Sequence, residues 1–407
     1  MPVGEVGDSQ VVVAGAGPAG LATALLLARG GVPCQVLEAA EGPSEATGPH
    51  SGSPRTGQPY VYSGRFRRRL MERLPDVYAD LLDQGAQTFD TDGSPEEPSP
   101  YGDLAGREGK AVQGDRLSLT CPGPVVTAAL ARALAVEPLA RVRHGDRVRG
   151  LRTEGDRITG VRLTGETVEA STVVDALGRS SPLAPDFTVL VDEFDCGVMH
   201  STRLYRTDPA DRPPSTAGRV IKFEGEAFNA RVLSQGPDTF AVTFRYLAGD
   251  RVLERLAAPE GFSRALRLLP GIGDRAAIAV PAGAIISGID PPLLLRCLDD
   301  QAPAGYLPVG GALCAVDAES GSGAALALEG ATLVARALAA PVGGAPDASL
   351  SAFANGLLRH TYERSARRSI VRTRLWEAAA MALDPAARSG PDARLPTRAA
   401  MADALLL

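Results

Sequence analysis

Apolar residues run unbroken from Val11 to Ala14, recur at helical spacing from Leu21 to Ala28, and gather again over residues 34–37. An unbroken apolar run is how a strand buried on both faces reads, and recurrence every three to four residues marks a helix. The first 38 residues therefore predict strand, turn, helix and strand. Phe66, Leu70, Leu74, Tyr78, Leu81 and Leu82 keep helical spacing across residues 65–85, and Pro75 interrupts them, which predicts a helix, a break and a second helix. A short helix over 125–135 precedes strand signals at 141–151, 158–163 and 167–174, joined by EGD and TGE turns as in a β-meander. Alternation over 197–205, 219–223, 228–233 and 239–246 predicts a larger antiparallel sheet. Helical pattern returns at 251–269, a strand at 277–285, a strand ending at Gly310, and a long apolar helix from Gly323. After a Pro/Gly-rich linker, 341–346, the C-terminal region reads as helical, with Tyr362, Ala366, Ile370 and Leu375 on one face. Residues 41–59 predict a loop and residues 91–109 an exposed excursion, both being poor in apolar residues.

The turn after the first strand carries the clearest chemistry. Gly15, Gly17 and Gly20 follow the G-x-G-x-x-G spacing within VVVAGAGPAGLA, where a tight turn, close backbone approach to a pyrophosphate and close helix packing each disfavour a Cβ. Ala16 and Ala19 are small as well, and Pro18 opens the helix, where its missing N–H leaves no gap in the hydrogen bonding. The helix N-terminus then turns its dipole and free N–H groups toward an anion. Glu38, at the end of the second strand, stands where an acid meets a ribose 2′-hydroxyl and would repel a 2′-phosphate. The unit predicts a dinucleotide site, with FAD and NAD both open on this motif alone.

Composition narrows the rest. A chain of 407 residues at 44% hydrophobic is long enough for two or three domains with a substantial core. Its net charge of −6 gives no basic field, which argues against nucleic acid as a partner. The arginines at 65–69 and 364–374 lie in helical patterns and read as solvated faces. No apolar stretch is long enough to span a bilayer and no leader pattern opens the chain, so the expectation is a soluble, cytoplasmic protein. Cys34, Cys121, Cys196, Cys297 and Cys314 show neither C-x-x-C pairing nor metal-ligand spacing with the four histidines, so no metal site is expected and the thiols read as reduced. Only Lys110 and Lys222 are lysines, while arginine, alanine and glycine abound, a bias typical of a GC-rich bacterial genome.

Three separated stretches, VVVAGAGPAGLA with Glu38, then VVDALGRSS, then VGGALCAVDAESGSGAALALEGA, resemble in order and spacing the three FAD-contacting motifs of flavoprotein monooxygenases of the para-hydroxybenzoate hydroxylase type. GRFRRRLMERLPDVYADLLDQGA and CAVDAESGSGAALALEGA look most like bacterial FAD-dependent epoxidases and related tailoring enzymes of polyketide pathways. The resemblance implies an α/β fold: a Rossmann-like FAD-binding domain with a parallel sheet and β-meander, a second α+β domain with an antiparallel sheet for substrate, and C-terminal helices. The implied division is 1–60, 110–185 and 295–340 for FAD, 61–109 and 186–294 for substrate, and 346–407 for the helical region. FAD is the implied cofactor and NADPH the implied external reductant. Ala176 and Gly178 of the second motif, and Gly310, Gly311, Gly321, Ser322 and Gly323 of the third, join the cofactor-binding set.

Two departures from the family pattern stand out. Gly310-Gly311 replaces the usual Gly-Asp, whose acid holds the ribityl hydroxyls, and Asp317-Ala318 replaces the usual Asp-Pro or Asn-Pro beside the ring. Two activities remain open: a monooxygenase or epoxidase acting on an apolar small molecule, and a non-redox cyclase that retains FAD as a structural part. No side chain presents itself as a catalytic nucleophile. Strand alternation puts Phe240, Val242, Phe244 and Tyr246 on one face, which either packs a core or lines an apolar substrate pocket. His200 falls on the face opposite Arg203 and Tyr205.

Overall fold

A computed structural model describes residues 11–42, 59–90, 117–208, 221–235, 238–273, 278–340, 354–381 and 398–406. The excursion expected at 91–109 and most of the loop expected at 41–59 lie outside the described residues. The opening unit folds as its pattern requires, with β1 (Val11–Ala14), α1 (Pro18–Arg29) and β2 (Cys34–Glu38). β3 (Pro59–Tyr62) follows, then α2 (Gly64–Arg73) and α3 (Pro75–Asp83), divided at the proline. β4 (Gln87–Asp90), β5 (Leu117–Pro122) and α4 (Gly123–Ala135) come next.

The meander segment divides differently from its apolar pattern. β6 (Ala140–His144) and β10 (Thr172–Asp175) both join β1 and β2 in a five-stranded parallel sheet, while β7 (Gly150–Glu154), β8 (Arg157–Arg162) and β9 (Thr167–Glu169) alone form the antiparallel meander. The fifth parallel strand is β19 (Tyr306–Pro308), which completes the order β19-β10-β1-β2-β6. Val11 and Val13 pack toward the helices and Val12 and Ala14 toward the meander, so both faces of β1 are buried.

A single-turn helix, α5 (Ala184–Phe187), leads to β11 (Thr188–Phe194). The second large sheet is antiparallel and contains β12 (Val198–Arg206), β13 (Ile221–Glu224), β14 (Phe228–Ser234) and β15 (Thr239–Leu247), in the order β13-β14-β15-β12. A 3-10 turn at Leu253–Ala257 and α6 (Pro259–Arg267) cover one face of it. The strand expected at 277–285 appears among the described residues as a two-residue bridge strand, β16 (Val280–Pro281), followed by β17 (Ile286–Ile289); both pair with β12. β18 (Leu293–Leu298) lies between β11 and β20 (Cys314–Ala315).

Among the described residues, three α-helices follow: α7 (Gly323–Ala339), α8 (Arg359–Met381) and α9 (Arg398–Leu406). α1, α4 and α7 share one core against the parallel sheet. Phe66, Leu70, Leu74, Val77 and Leu81 of α2 and α3 belong to that same core. The apolar stripe of both helices therefore packs against the layer of the parallel sheet. The face expected of the C-terminal helix is corrected. Tyr362 and Ala366 are buried, but Ile370 is 38% exposed, and the buried stripe continues through Ser365, Ser369, Arg372 and Thr373. A helix that meets a charged loop buries polar residues, which apolar periodicity does not reveal. Among the described residues no helix is long and apolar enough to cross a membrane.

Candidate functional site

The three glycine-bearing segments lie at the carboxyl ends of parallel strands, where open α/β sheets bind ligands. Gly15 takes φ +101°, and a Cβ on it would stand 2.8 Å from the Ala176 carbonyl oxygen. A Cβ on Gly20 would overlap the Gly15 carbonyl, so the helix can approach the turn only without one. Gly17 differs: nothing lies within 4 Å of the position its Cβ would take. The open space sits at the N-terminus of α1, whose first turn carries no acid, and this fits a pyrophosphate. Glu38 ends β2 with its carboxylate accepting the N–H groups of Ala16 at 2.7 Å and Ala40 at 3.0 Å, which fixes the acid beside the glycine turn.

The second and third segments close on the first. The Ala176 N–H donates to the Ala14 carbonyl, and the Val309 N–H to the Asp175 carbonyl. Buried Asp175 accepts from the hydroxyls of Ser181 at 2.6 Å and Tyr306 at 2.7 Å; burial raises its carboxyl above the usual range against these bonds. A Cβ on Gly310 would meet that of Ala19 at 2.9 Å, and one on Gly311 would stand 3.1 Å from the Arg179 nitrogen, over Gly178. Gly311 is therefore a position of close approach between the last two segments, and an aspartate there would need the 178–179 backbone to move. Gly321 takes φ +60° with its carbonyl accepting the Ser63 N–H, and Ser322 caps α7 without a side-chain bond to its first turn. That first turn, from Gly323, also carries no acid.

The aromatic face of β15 packs a core, one of the two roles that its alternation left open. Phe240, Val242, Phe244 and Tyr246 are buried in a core with Leu253, Leu256, Phe262, Met401 and Leu405, because α6 and α9 cover that side of the sheet. The Phe244 ring stands edge-on to Phe262, with centroids 5.1 Å apart. Phe244→Ala is expected to lose about 3–5 kcal/mol of stability by cavity formation. A urea melt checks this, and a variant of wild-type stability would return the residue to the pocket.

The opposite face of the sheet meets the cofactor side. Cross-strand pairing lays Glu224, Asn229, Arg245 and His200 in one row over β13, β14, β15 and β12, with Lys222, Arg231, Thr243 and Thr202 in the next. Leu233, Ala241 and Leu204 form a third, apolar row, and Leu233 packs on Phe89 of β4. The first row carries a buried charge cluster that sequence reading missed. Arg245 binds Asp290, Glu319 and, at 3.0 Å, Asp317, while Asp290 also bonds His200 Nδ1 at 3.0 Å. Arg372 of α8 binds Asp317 at 2.8 Å and also Glu319, which Arg231 and Asn229 bind as well. Burial alone would raise the Asp317 and Glu319 carboxyls, but the facing arginines outweigh it and hold both below the usual carboxylate range. Glu224 is the acid left over: burial, then the charge of Glu319, push it up to about 7 against Arg231, Arg372 and Lys222. Arg372 lies within the arginine-rich stretch expected to be a solvated face, and it is buried because these carboxylates face it. Only the alternation of Arg245 with the aromatic residues of its strand hinted at this cluster. Among the described residues no group of His, Cys, Asp and Glu could hold a metal.

Residues 8–200 match the family model FAD_binding_3, an FAD binding domain. No curated protein matches the sequence. Among solved structures, the chain resembles PqsL, a probable FAD-dependent monooxygenase from Pseudomonas aeruginosa, at 17% identity and TM-score 0.69, over 91% of this chain and 98% of that one. It also resembles the myxobacterial chondrochloren halogenase CndH, at 16% identity and TM-score 0.63, over 97% and 95%. The Diels-Alderase PyrE3 of pyrroindomycin biosynthesis aligns at 21% identity and TM-score 0.56, over 91% of this chain and 73% of that one. The protein is thus a flavoprotein with the para-hydroxybenzoate hydroxylase type of fold. Residues 8–200 form an FAD-binding domain, and FAD is the cofactor.

Proposed function

We propose that this flavoprotein is a monooxygenase or epoxidase-like tailoring enzyme of bacterial, polyketide-type secondary metabolism, acting in the cytoplasm on a largely apolar small molecule. The observation that carries this reading is the convergence of the three glycine segments with the loop 317–323, against the cofactor-side face of the antiparallel sheet. Gly15, Gly17, Gly20 and the α1 N-terminus hold the pyrophosphate, and Glu38 the adenosine ribose. Gly310, Gly311 and the Gly321-Ser322-Gly323 turn would hold the ribityl chain and ring, and the α7 N-terminus would favour negative charge on it. Bound FAD would supply the activation of dioxygen, with NADPH as external reductant, and the chain would orient the substrate and exclude water. The Nε–H of Arg231 is buried without an acceptor among the described residues, and it suits an oxygen function on the substrate.

A second reading is a non-redox cyclase, favoured by Gly311 and Ala318 and by the likeness to a structure described as a Diels-Alderase. Holding a flexible chain in reactive geometry can alone lower a barrier by roughly 7–11 kcal/mol in favourable cases. Product formation from a polyketide-type polyene under nitrogen, with oxidised holoenzyme and no reductant, separates the two. We expect strict dependence on oxygen and NADPH; product at full rate without them contradicts the monooxygenase and assigns the cyclase.

A further inference from the structure

Asp317 and Glu319 flank Ala318 in the loop that ends at the start of α7, and both are held from outside that loop. Arg372 reaches the two together, with one guanidinium nitrogen on Asp317 and another on Glu319. One turn earlier on α8, the Ser369 hydroxyl donates to Asp317 at 2.7 Å, and the Ser365 hydroxyl accepts the Asp317 N–H at 2.9 Å. Residues 365, 369 and 372 form one buried stripe. An apolar stripe would anchor a helix at least as firmly, since buried charges give up hydration that their pairing only partly returns. What the polar stripe adds is geometry: a planar guanidinium fixes the directions of the carboxylates it binds. The loop needs such fixing. Gly321 and Gly323 leave its backbone free, and Ala318 imposes none of the φ restriction that a proline would.

We propose that Arg372, with Ser369, is a positioning residue for the flavin: from the C-terminal helix it sets the loop 317–323, and through that loop the seat of the flavin ring. The inference rests on FAD occupying the glycine cradle as read above. The ring then depends on α8, while the adenosine end, held by β1, α1 and β2, does not. Arg372→Gln removes a positive charge and a fork beside the loop. A looser α7 N-terminus stabilises the anionic reduced ring less well, so the midpoint potential falls.

The test uses holoenzyme of the wild type, Arg372→Gln and Ser369→Ala, and follows the FAD dissociation constant, the visible circular dichroism of bound oxidised FAD, and its midpoint potential. FAD affinity is expected to stay within about twofold, as for groups that do not touch. The dichroic band changes and the potential drops in both variants, less in Ser369→Ala. Folded variants with wild-type dichroism and potential overturn the proposal, and so does loss of FAD from a folded variant, which would make Arg372 part of cofactor binding itself. If Arg372→Gln fails to fold, Ser369→Ala decides on the same readouts. A wild-type protein that carries no FAD would instead remove the reading beneath the proposal.

Discussion

Arg245→Met is expected to destabilise the protein by about 3–5 kcal/mol, the range for removing one member of a buried ion cluster. Arg245 is buried and meets three carboxylates on two segments, Asp290 on one and Asp317 and Glu319 on the loop before α7. Burial opposes its charge, and the three acids outweigh that and raise its pKa well above the ordinary arginine value. Methionine fills a similar volume without charge, so Asp290 keeps only His200 of the partners described above, and Asp317 and Glu319 compete for Arg372 and Arg231. The loss therefore reflects stranded negative charge and not missing packing. Urea unfolding of the holoenzyme measures it. A change below about 1 kcal/mol, the size of an exposed ion pair, would mean that the cluster does not hold these segments together.

The parts of the fold that were legible in the sequence are those where apolar periodicity and burial agree. β1, α1 and β2 read correctly because Val11–Ala14 is buried on both faces and α1 is buried along most of its length. Pro75 divided α2 from α3 by backbone geometry, which needs no tertiary information. The glycine spacing of the first turn could be read for the same reason, since a missing Cβ is a local property. Sheet membership was not legible at β6 and β10: a short apolar strand looks alike in a meander and in a parallel sheet, and only long-range pairing distinguishes them. The aromatic face of β15 illustrates a second limit, because alternation shows that one face is apolar but not which layer covers it. The charge cluster marks the third. Arg245, Asp290, the Asp317 and Glu319 pair, and Arg372 are far apart in sequence, and each looks like an ordinary surface residue until the fold brings them together.

Gly17→Val is expected to abolish cofactor retention while leaving the fold intact. The position takes φ −71° and ψ 176°, an extended conformation that valine adopts readily, and no protein atom lies within 4 Å of the added Cβ. The substitution is therefore tolerated by the chain itself. Its side chain instead fills the space before the α1 N-terminus, where the pyrophosphate must approach the backbone. Gly20 offers no such separation, because a Cβ there overlaps the Gly15 carbonyl and disturbs the turn directly. The most direct measurement of the account is thus the FAD released on denaturation from wild-type and Gly17→Val protein purified side by side, with circular dichroism confirming that both are folded. Close to one FAD per wild-type chain and almost none in the variant is expected; a folded Gly17→Val protein that keeps its FAD would contradict FAD binding at the first glycine turn.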